Sequence, residues 1–151
     1  METLNDKVFG KMKYDYSWEK EETFSFFGVE NAIKVVAEAY SGQKITDQQR
    51  SAYDIYKKQS DSLNQLIPSA LLSYYLDNYD LIASTSVIPE IIDRDHINEE
   101  LIVRLIQLRT LYFRRDGKYG WLCDCAWDQE HGISIVLSDG KPYVGDQDEL
   151  I

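Results

Sequence analysis

Several features that define other classes of protein are missing from this 151-residue sequence, and each absence excludes a function. No apolar run approaches the roughly 20 residues that a membrane-spanning helix requires. Residues 1–6 are acidic and lack the apolar core of a signal peptide. Lysine and arginine form no long basic run of the kind that binds phosphate backbones. We therefore expect a cytoplasmic protein that binds neither membranes nor nucleic acid.

Cysteine is almost absent, and the two cysteines present, Cys123 and Cys125, lie in a predicted strand. Side chains at i and i+2 of a strand share a face about 6.6 Å apart, at the far edge of disulfide geometry. No second cysteine pair or histidine pair is present to complete a zinc site. We expect reduced, buried thiols, and the lack of nucleotide-binding, hydrolase and EF-hand motifs predicts no cofactor.

Acidic and aromatic residues, by contrast, are abundant. The net charge is -10, and the chain has 11 tyrosines and 3 tryptophans. An acidic surface repels phosphates and attracts basic proteins, although such a charge also serves solubility alone. Aromatic side chains combine a large apolar area with a polar group, so they suit both cores and binding surfaces.

The order of the elements, strands then helices then strands, predicts a single α+β domain over residues 1–151. An antiparallel sheet from N-terminal strands and a C-terminal meander would pack against central helices, with the order of the strands left open. Residues 31–40 fit both helix and strand, and a hairpin with residues 22–27 favours strand. The predicted strands cover residues 8–16, 22–27, 31–40, 110–114, 119–125, 132–137 and 141–144. The last four are joined in part by Asp-Gly turns at residues 116–117 and 139–140.

Capping signals place the helices. Thr46, with Gln49 at the capping-box position, begins a helix over residues 47–60. A second helix over residues 62–79 contains Pro68, which must kink it or start its second part. Residues 81–95, including Val87-Ile88-Pro89, are predicted to be irregular, and Asn98 caps a short helix through Leu105.

One segment, residues 123–132, gathers three carboxylates, a histidine and a tryptophan. In one interpretation Asp128, Glu130 and His131 bind a metal, with Asp124 or Asp148 added, because carboxylate and imidazole suit zinc, manganese or iron. In a second, Glu130 and His131 are an acid–base pair, although neighbours on a strand point to opposite faces.

The third interpretation of this segment is structural. Asp128 then bonds the backbone that follows it, Gly132 supplies an unusual φ, and Trp127 covers the core. His131 would bond a carbonyl or a carboxylate. A nucleophilic cysteine beside His131 is a further alternative, but nearby carboxylates would raise its pKa.

The tyrosines of the central helices also allow two interpretations. Their helical spacing predicts core and core-edge positions, whereas exposure beside Asp77 and Asp80 would create an aromatic and acidic binding patch. The residues predicted as candidates for partner binding come from this set and from the segment above: Asp124, Trp127, Asp128, Glu130, His131, Tyr74 and Tyr75.

Two stretches resemble a family of small uncharacterised bacterial domains. These are residues 124–135 with 144–148, which contain the motif Trp-Asp-x-Glu-His-Gly, and residues 44–53. The resemblance implies similarity to immunity proteins of toxin systems and supplies no catalytic residues. We therefore expect a non-enzymatic protein-binding module, an immunity-type protein that neutralises a basic toxin. The alternatives are a small metal-dependent hydrolase using residues 128–131 and a subunit of a larger assembly, and the oligomeric state stays open.

Overall fold

Eight β-strands form one sheet in the computed structural model, which describes residues 2–85 and 92–151. The strands are β1 Thr3–Asp6, β2 Gly10–Tyr14, β3 Trp18–Phe26, β4 Val29–Ala37, β5 Ile106–Phe113, β6 Tyr119–Cys125, β7 Ile133–Val136 and β8 Tyr143–Gly145. The helices are α1 Asp47–Gln65, α2 Ile67–Asp77, α3 Tyr79–Thr85 and α4 Glu99–Ile102, and 3₁₀ turns cover Val103–Leu105 and Gln147–Glu149. The strands lie in chain order across the sheet.

Six of the seven strand pairs are antiparallel, and the pair of β4 with β5 is parallel. Parallel neighbours need a long connection that returns the chain to the same end of the sheet. The helices provide this connection, because they all lie between β4 and β5 in the chain. The parallel pair therefore joins an N-terminal and a C-terminal meander into one sheet, whose order the sequence left open.

The crossing from β4 into α1 is fixed by the predicted capping box. The Thr46 hydroxyl accepts the N–H of Gln49, and the Gln49 side chain accepts the N–H of Thr46. The buried amide of Gln49 also donates to the carbonyls of Glu38 and Phe113, at 2.9 and 3.0 Å. Gln49 thus joins the start of α1 to the ends of both parallel strands.

The core lies between the helices and one face of the sheet. Phe9 stacks on Tyr53 of α1 with ring centroids 4.5 Å apart, and both rings contact the edge or face of Phe113 on β5. Trp121 on β6 is fully buried and donates its indole N–H to Asn64 of α1. Alternation along each strand sends one set of side chains into this core.

The predicted α+β architecture is confirmed, including both Asp-Gly turns and a strand within residues 31–40, although β4 spans Val29–Ala37 and ends three residues earlier than predicted. Pro68 starts a new helix, since it lies in the first turn of α2. The prediction of an irregular segment over residues 81–95 is wrong at its start, because α3 continues through Thr85. Val87-Ile88-Pro89 lies outside the described residues, and β1 was not predicted. Within the described ranges, no helix has the length and apolar character to cross a membrane.

Candidate functional site

The segment from Trp127 to Gly132 forms the turn between β6 and β7, with the geometry of the structural interpretation. Asp128 Oδ1 accepts the backbone N–H of His131 at 3.1 Å, and it lies 3.1 Å from His131 Nδ1. Gly132 has φ +67° and donates its N–H to the carbonyl of Asp128. The side chain of Asp128 thus organises the turn, and His131 pairs with Asp128 and not with its neighbour Glu130.

The polar side chains of this turn are accessible. His131 and Glu130 are exposed. The Asp128 side chain is 42% exposed, against 73% for that of His131. The hydrogen bond that Asp128 accepts from the His131 ring, followed by the charges of Asp128 and Glu130, raises the pKa of His131 above its ordinary value. The turn therefore presents an acidic surface with one titratable histidine.

Two of the predicted binding residues lie beneath the surface. Tyr75 is fully buried and packs edge-on against Trp127, which is 7% exposed, with ring centroids 5.3 Å apart. The Tyr75 hydroxyl donates to the carbonyl of Ile92. Both aromatic rings support the turn from inside and do not form an exposed patch.

The other two predicted residues are at the surface near the turn. Tyr74 is half-buried, and its pKa is raised by burial and then by nearby groups that include Asp146 and Asp128. Asp124 is exposed and forms an ion pair with Arg109 on the neighbouring strand. Tyr74 therefore lies near Asp128, although the two residues are 54 positions apart in the sequence.

Neither the metal interpretation nor the thiol interpretation finds an assembled site. Among residues 2–85 and 92–151, no group of three or more His, Cys, Asp and Glu side chains is arranged to hold a metal ion. Cys123 and Cys125 are buried free thiols, as predicted. Burial raises the pKa of Cys123 well above its ordinary value and that of Cys125 to about 12, which disfavours the thiolate that a nucleophile requires.

A groove with a volume of about 840 Å³ lies between β4 and β5. These strands pair only where Lys34–Ala37 of β4 meets Thr110–Phe113 of β5. Before that point they separate, beside an irregularity in β5 between Leu108 and Thr110. The groove lies in this separation and is closed at its far side by α4, the 3₁₀ turn that follows it and the start of α2.

The groove combines apolar walls with acidic groups. Its apolar residues are Phe26, Phe27, Val29, Pro68, Val103 and Ile106. Its carboxylates are Glu30, Glu99 and Glu100, and Arg104, the one cation among its described lining residues, is paired with Glu100 at 3.1 Å. This is the chemistry of a site for an occupant with apolar and basic groups.

A smaller hollow of about 410 Å³ continues from the groove toward the predicted turn. The two share Arg104, Ile106 and Gln107, and the hollow also contacts Asp124 and Gln129. A continuous surface thus runs from the Phe27 end of the groove to the Asp128–His131 turn.

None of the residues that line the groove was predicted as functional. Glu99 and Glu100 were interpreted only as part of a short helix, and Phe27 only as the end of a strand. One signal was present in the sequence, because a phenylalanine precedes Gly28 where a tight hairpin turn favours asparagine or aspartate. The other groove residues are brought together only by the separation of β4 from β5.

Comparison with known proteins identifies the family of the chain. No curated protein and no solved structure matches it. The model of a family described as Domain of unknown function (DUF6985) matches residues 8–151. Because this match spans nearly the whole sequence, the chain belongs to the DUF6985 family.

Proposed function

We propose that this protein is a non-enzymatic binding module that takes a basic partner protein into the groove between β4 and β5. The observation that carries the proposal is the pairing of apolar walls with three carboxylates in this groove. Interfaces gain affinity from buried aromatic and aliphatic groups and gain orientation from complementary charge. The groove offers both kinds of group in one place.

The whole chain supports a basic partner. Its net charge of -10 creates a field that accelerates encounter with a protein of opposite charge and disfavours self-association. The exposed acids of the Asp128–His131 turn extend this field along the hollow that adjoins the groove. We propose that the turn contacts the rim of the partner, while the groove holds its central segment.

In biological terms, this describes an immunity-type protein that acts in the bacterial cytoplasm and neutralises a basic toxin by covering its surface. Neutralisation by occlusion needs affinity and charge complementarity and no catalytic group. Two features support this specific form of the proposal. The Trp127–Gly132 motif resembles that of the small bacterial domains described above, and the surface is acidic.

The test is affinity capture from the native lysate at low and high salt, using two matched variants. The first, E30K with E99K, reverses two groove acids. The second, D61K with D139K, reverses two exposed acids outside the groove and changes the net charge by the same amount. Thermal unfolding of each variant shows whether the fold is retained.

We expect the wild-type protein and D61K/D139K to capture the same basic protein, with binding that weakens at high salt. E30K/E99K should lose this partner or bind it at least about tenfold more weakly. Equal capture by both variants, or no basic partner for the wild type, would refute the proposal.

A further inference from the structure

The hairpin of β3 and β4 projects beyond its neighbours on both sides. β2 pairs with β3 only at Trp18 and Glu19, and β5 pairs with β4 only from Lys34 onward. The rest of the hairpin, residues 20–33, is paired only within itself. It therefore has two strand edges without a strand partner among the described residues.

The direction of the backbone groups follows from the hairpin register. Phe26 and Val29 flank a two-residue turn and form its closing hydrogen-bonded pair. Alternation then points the N–H and C=O groups of Glu30 and Ala32 away from β3, toward β5. Glu38 follows the same alternation, and it donates its N–H to the carbonyl of Phe113 on β5 at 2.9 Å, which confirms this direction.

The opposite wall of the groove also directs backbone groups into it. Ala126 of the β6 side donates its N–H to the carbonyl of Leu105, so Leu105 and Gln107 face β6. Leu108 therefore directs its N–H and C=O toward β4, as Ile106 directs its C=O. Two backbone edges thus face each other across a space that no strand of the described chain fills.

The two open edges of the hairpin differ in their protection. The outer edge, on β3, carries the charged run Glu19-Lys20-Glu21-Glu22, the kind of sequence that prevents strand addition. The inner edge, on β4, carries Val29-Glu30-Asn31-Ala32 and opens into the groove. Only the inner edge combines unpaired backbone with apolar walls.

We propose that the groove binds a basic segment of the partner in extended form, as an added strand hydrogen-bonded to the inner edge of β4. Strand addition supplies affinity through the backbone and specificity through alternating side chains. Here apolar side chains of the segment would contact Phe27, Val29 and Val103, and its lysines or arginines, on the opposite face of the added strand, would face Glu30. This inference rests on the proposed function and specifies how the groove is used.

The chain offers a matched pair of variants, because Thr23 and Ala32 lie opposite each other in the hairpin and are both exposed. Thr23 and Ala32 form a non-hydrogen-bonded pair of the hairpin. The N–H of Thr23 therefore points to the outer edge and the N–H of Ala32 points to the inner edge. A strand edge tolerates proline at a position where the N–H of the replaced residue points away from the neighbouring strand. A32P therefore removes a donor from the groove edge, and T23P removes one from the outer edge.

The probe is a labelled peptide of alternating lysine and valine, measured by fluorescence anisotropy. We expect binding that weakens with salt, no change in T23P, and roughly threefold to tenfold weaker binding in A32P, the effect of one lost hydrogen bond. N-methylation of alternate valines should abolish binding. Thermal unfolding should show that both proline variants remain folded, and a variant that does not fold is replaced by N-methylation data on the wild-type protein.

Equal binding by A32P and T23P, equal binding of a helical lysine–leucine peptide, or no binding of the alternating peptide would overturn strand addition. A concentration-dependent dimer that closes the groove would overturn it as well. The proposed function fails separately, if E30K/E99K and D61K/D139K capture the basic partner equally. If E30K/E99K loses the partner while A32P and T23P bind it equally, the proposed binding function is supported and only strand addition to β4 is refuted.

Discussion

Gly132 determines whether the turn after β6 can lie against its own strand. A Cβ at this position would lie 2.3 Å from the carbonyl oxygen of Cys123, and the residue also has φ +67°. Gly140, in the turn between β7 and β8, has φ +89° with open space around it. The two glycines thus share a backbone conformation and differ in steric surroundings.

We predict that Gly132→Ala lowers the free energy of unfolding by about 2–5 kcal/mol, the sum of backbone strain and overpacking. Gly140→Ala should cost about 1–2 kcal/mol, because it introduces the strain alone. Urea unfolding of both variants measures the difference. Equal losses would show that the close approach to Cys123 has no energetic weight.

Asp6 joins the first hairpin to α1 through a buried carboxylate. Its Oδ2 accepts the N–H groups of Val8 and Phe9, and its Oδ1 is bound by two nitrogens of Arg50, at 2.8 and 2.7 Å. Burial alone would raise the pKa of Asp6. The hydrogen bonds from Arg50, Phe9 and Val8 outweigh burial and hold the pKa below its ordinary value of 3.8.

A lowered pKa in the folded state means that ionised Asp6 stabilises the fold above pH 3.8, and that this stability is lost as the pH falls through the folded-state pKa. We predict that Asp6→Asn costs about 2–3 kcal/mol at neutral pH. The difference from the wild type in urea unfolding should shrink as the pH falls below 3.8. A difference that is unchanged in acid would contradict this role of the ionised carboxylate.

The β3–β4 hairpin is the element in which local strain and the groove coincide. Phe27 and Gly28 both have positive φ, at +48° and +83°, as in a type I′ turn. A bulky aromatic is disfavoured in this conformation. Phe27 is nevertheless held edge-on against Phe26, with centroids 4.7 Å apart, and remains 50% exposed at the groove. The side chain of Phe27 thus keeps a strained backbone conformation at the groove.

We predict that Phe27→Asn raises the free energy of unfolding by about 1 kcal/mol, because asparagine accepts positive φ, and that it weakens partner binding. Tyr16→Asn is the control. Tyr16 also has positive φ, +64°. It precedes β3, whose nine extended residues span about 26 Å, so it lies at the opposite end of that strand from Phe27. It should gain similar stability with no effect on binding, and an equal effect of both variants on binding would contradict the assignment.

The elements with local signals could be predicted from the sequence, and those fixed by tertiary pairing could not. The strand within residues 31–40 follows from its alternation together with a hairpin to residues 22–27, and the start of α1 follows from Thr46 and Gln49. The strand β1 has only four residues, so its alternation in the sequence is weak. Its pairing with β2 holds it in the sheet. The helix α3 has only seven residues, about two turns, so its periodic signal is short.

At the scale of the whole molecule, the predicted and observed candidate sites differ because they depend on different information. The Asp128–His131 turn is contiguous, so its concentration of polar residues is visible in the sequence. The groove combines residues 26–31, Pro68 and residues 99–107. Only the parallel pairing of β4 with β5, and its failure before Lys34, brings these together. Sequence patterns report local periodicity and contain no direct record of where two strands separate.

The measurement that tests the groove most directly is amide hydrogen exchange of the protein with and without saturating lysine–valine peptide, analysed along the chain. Binding in the groove predicts slower exchange in residues 26–32 and 99–108, with the largest change at Glu30, Ala32 and Leu108. Residues of the outer β3 edge should be unchanged. Protection confined to the Asp128–His131 turn, or no protection anywhere, would contradict the groove as the binding site.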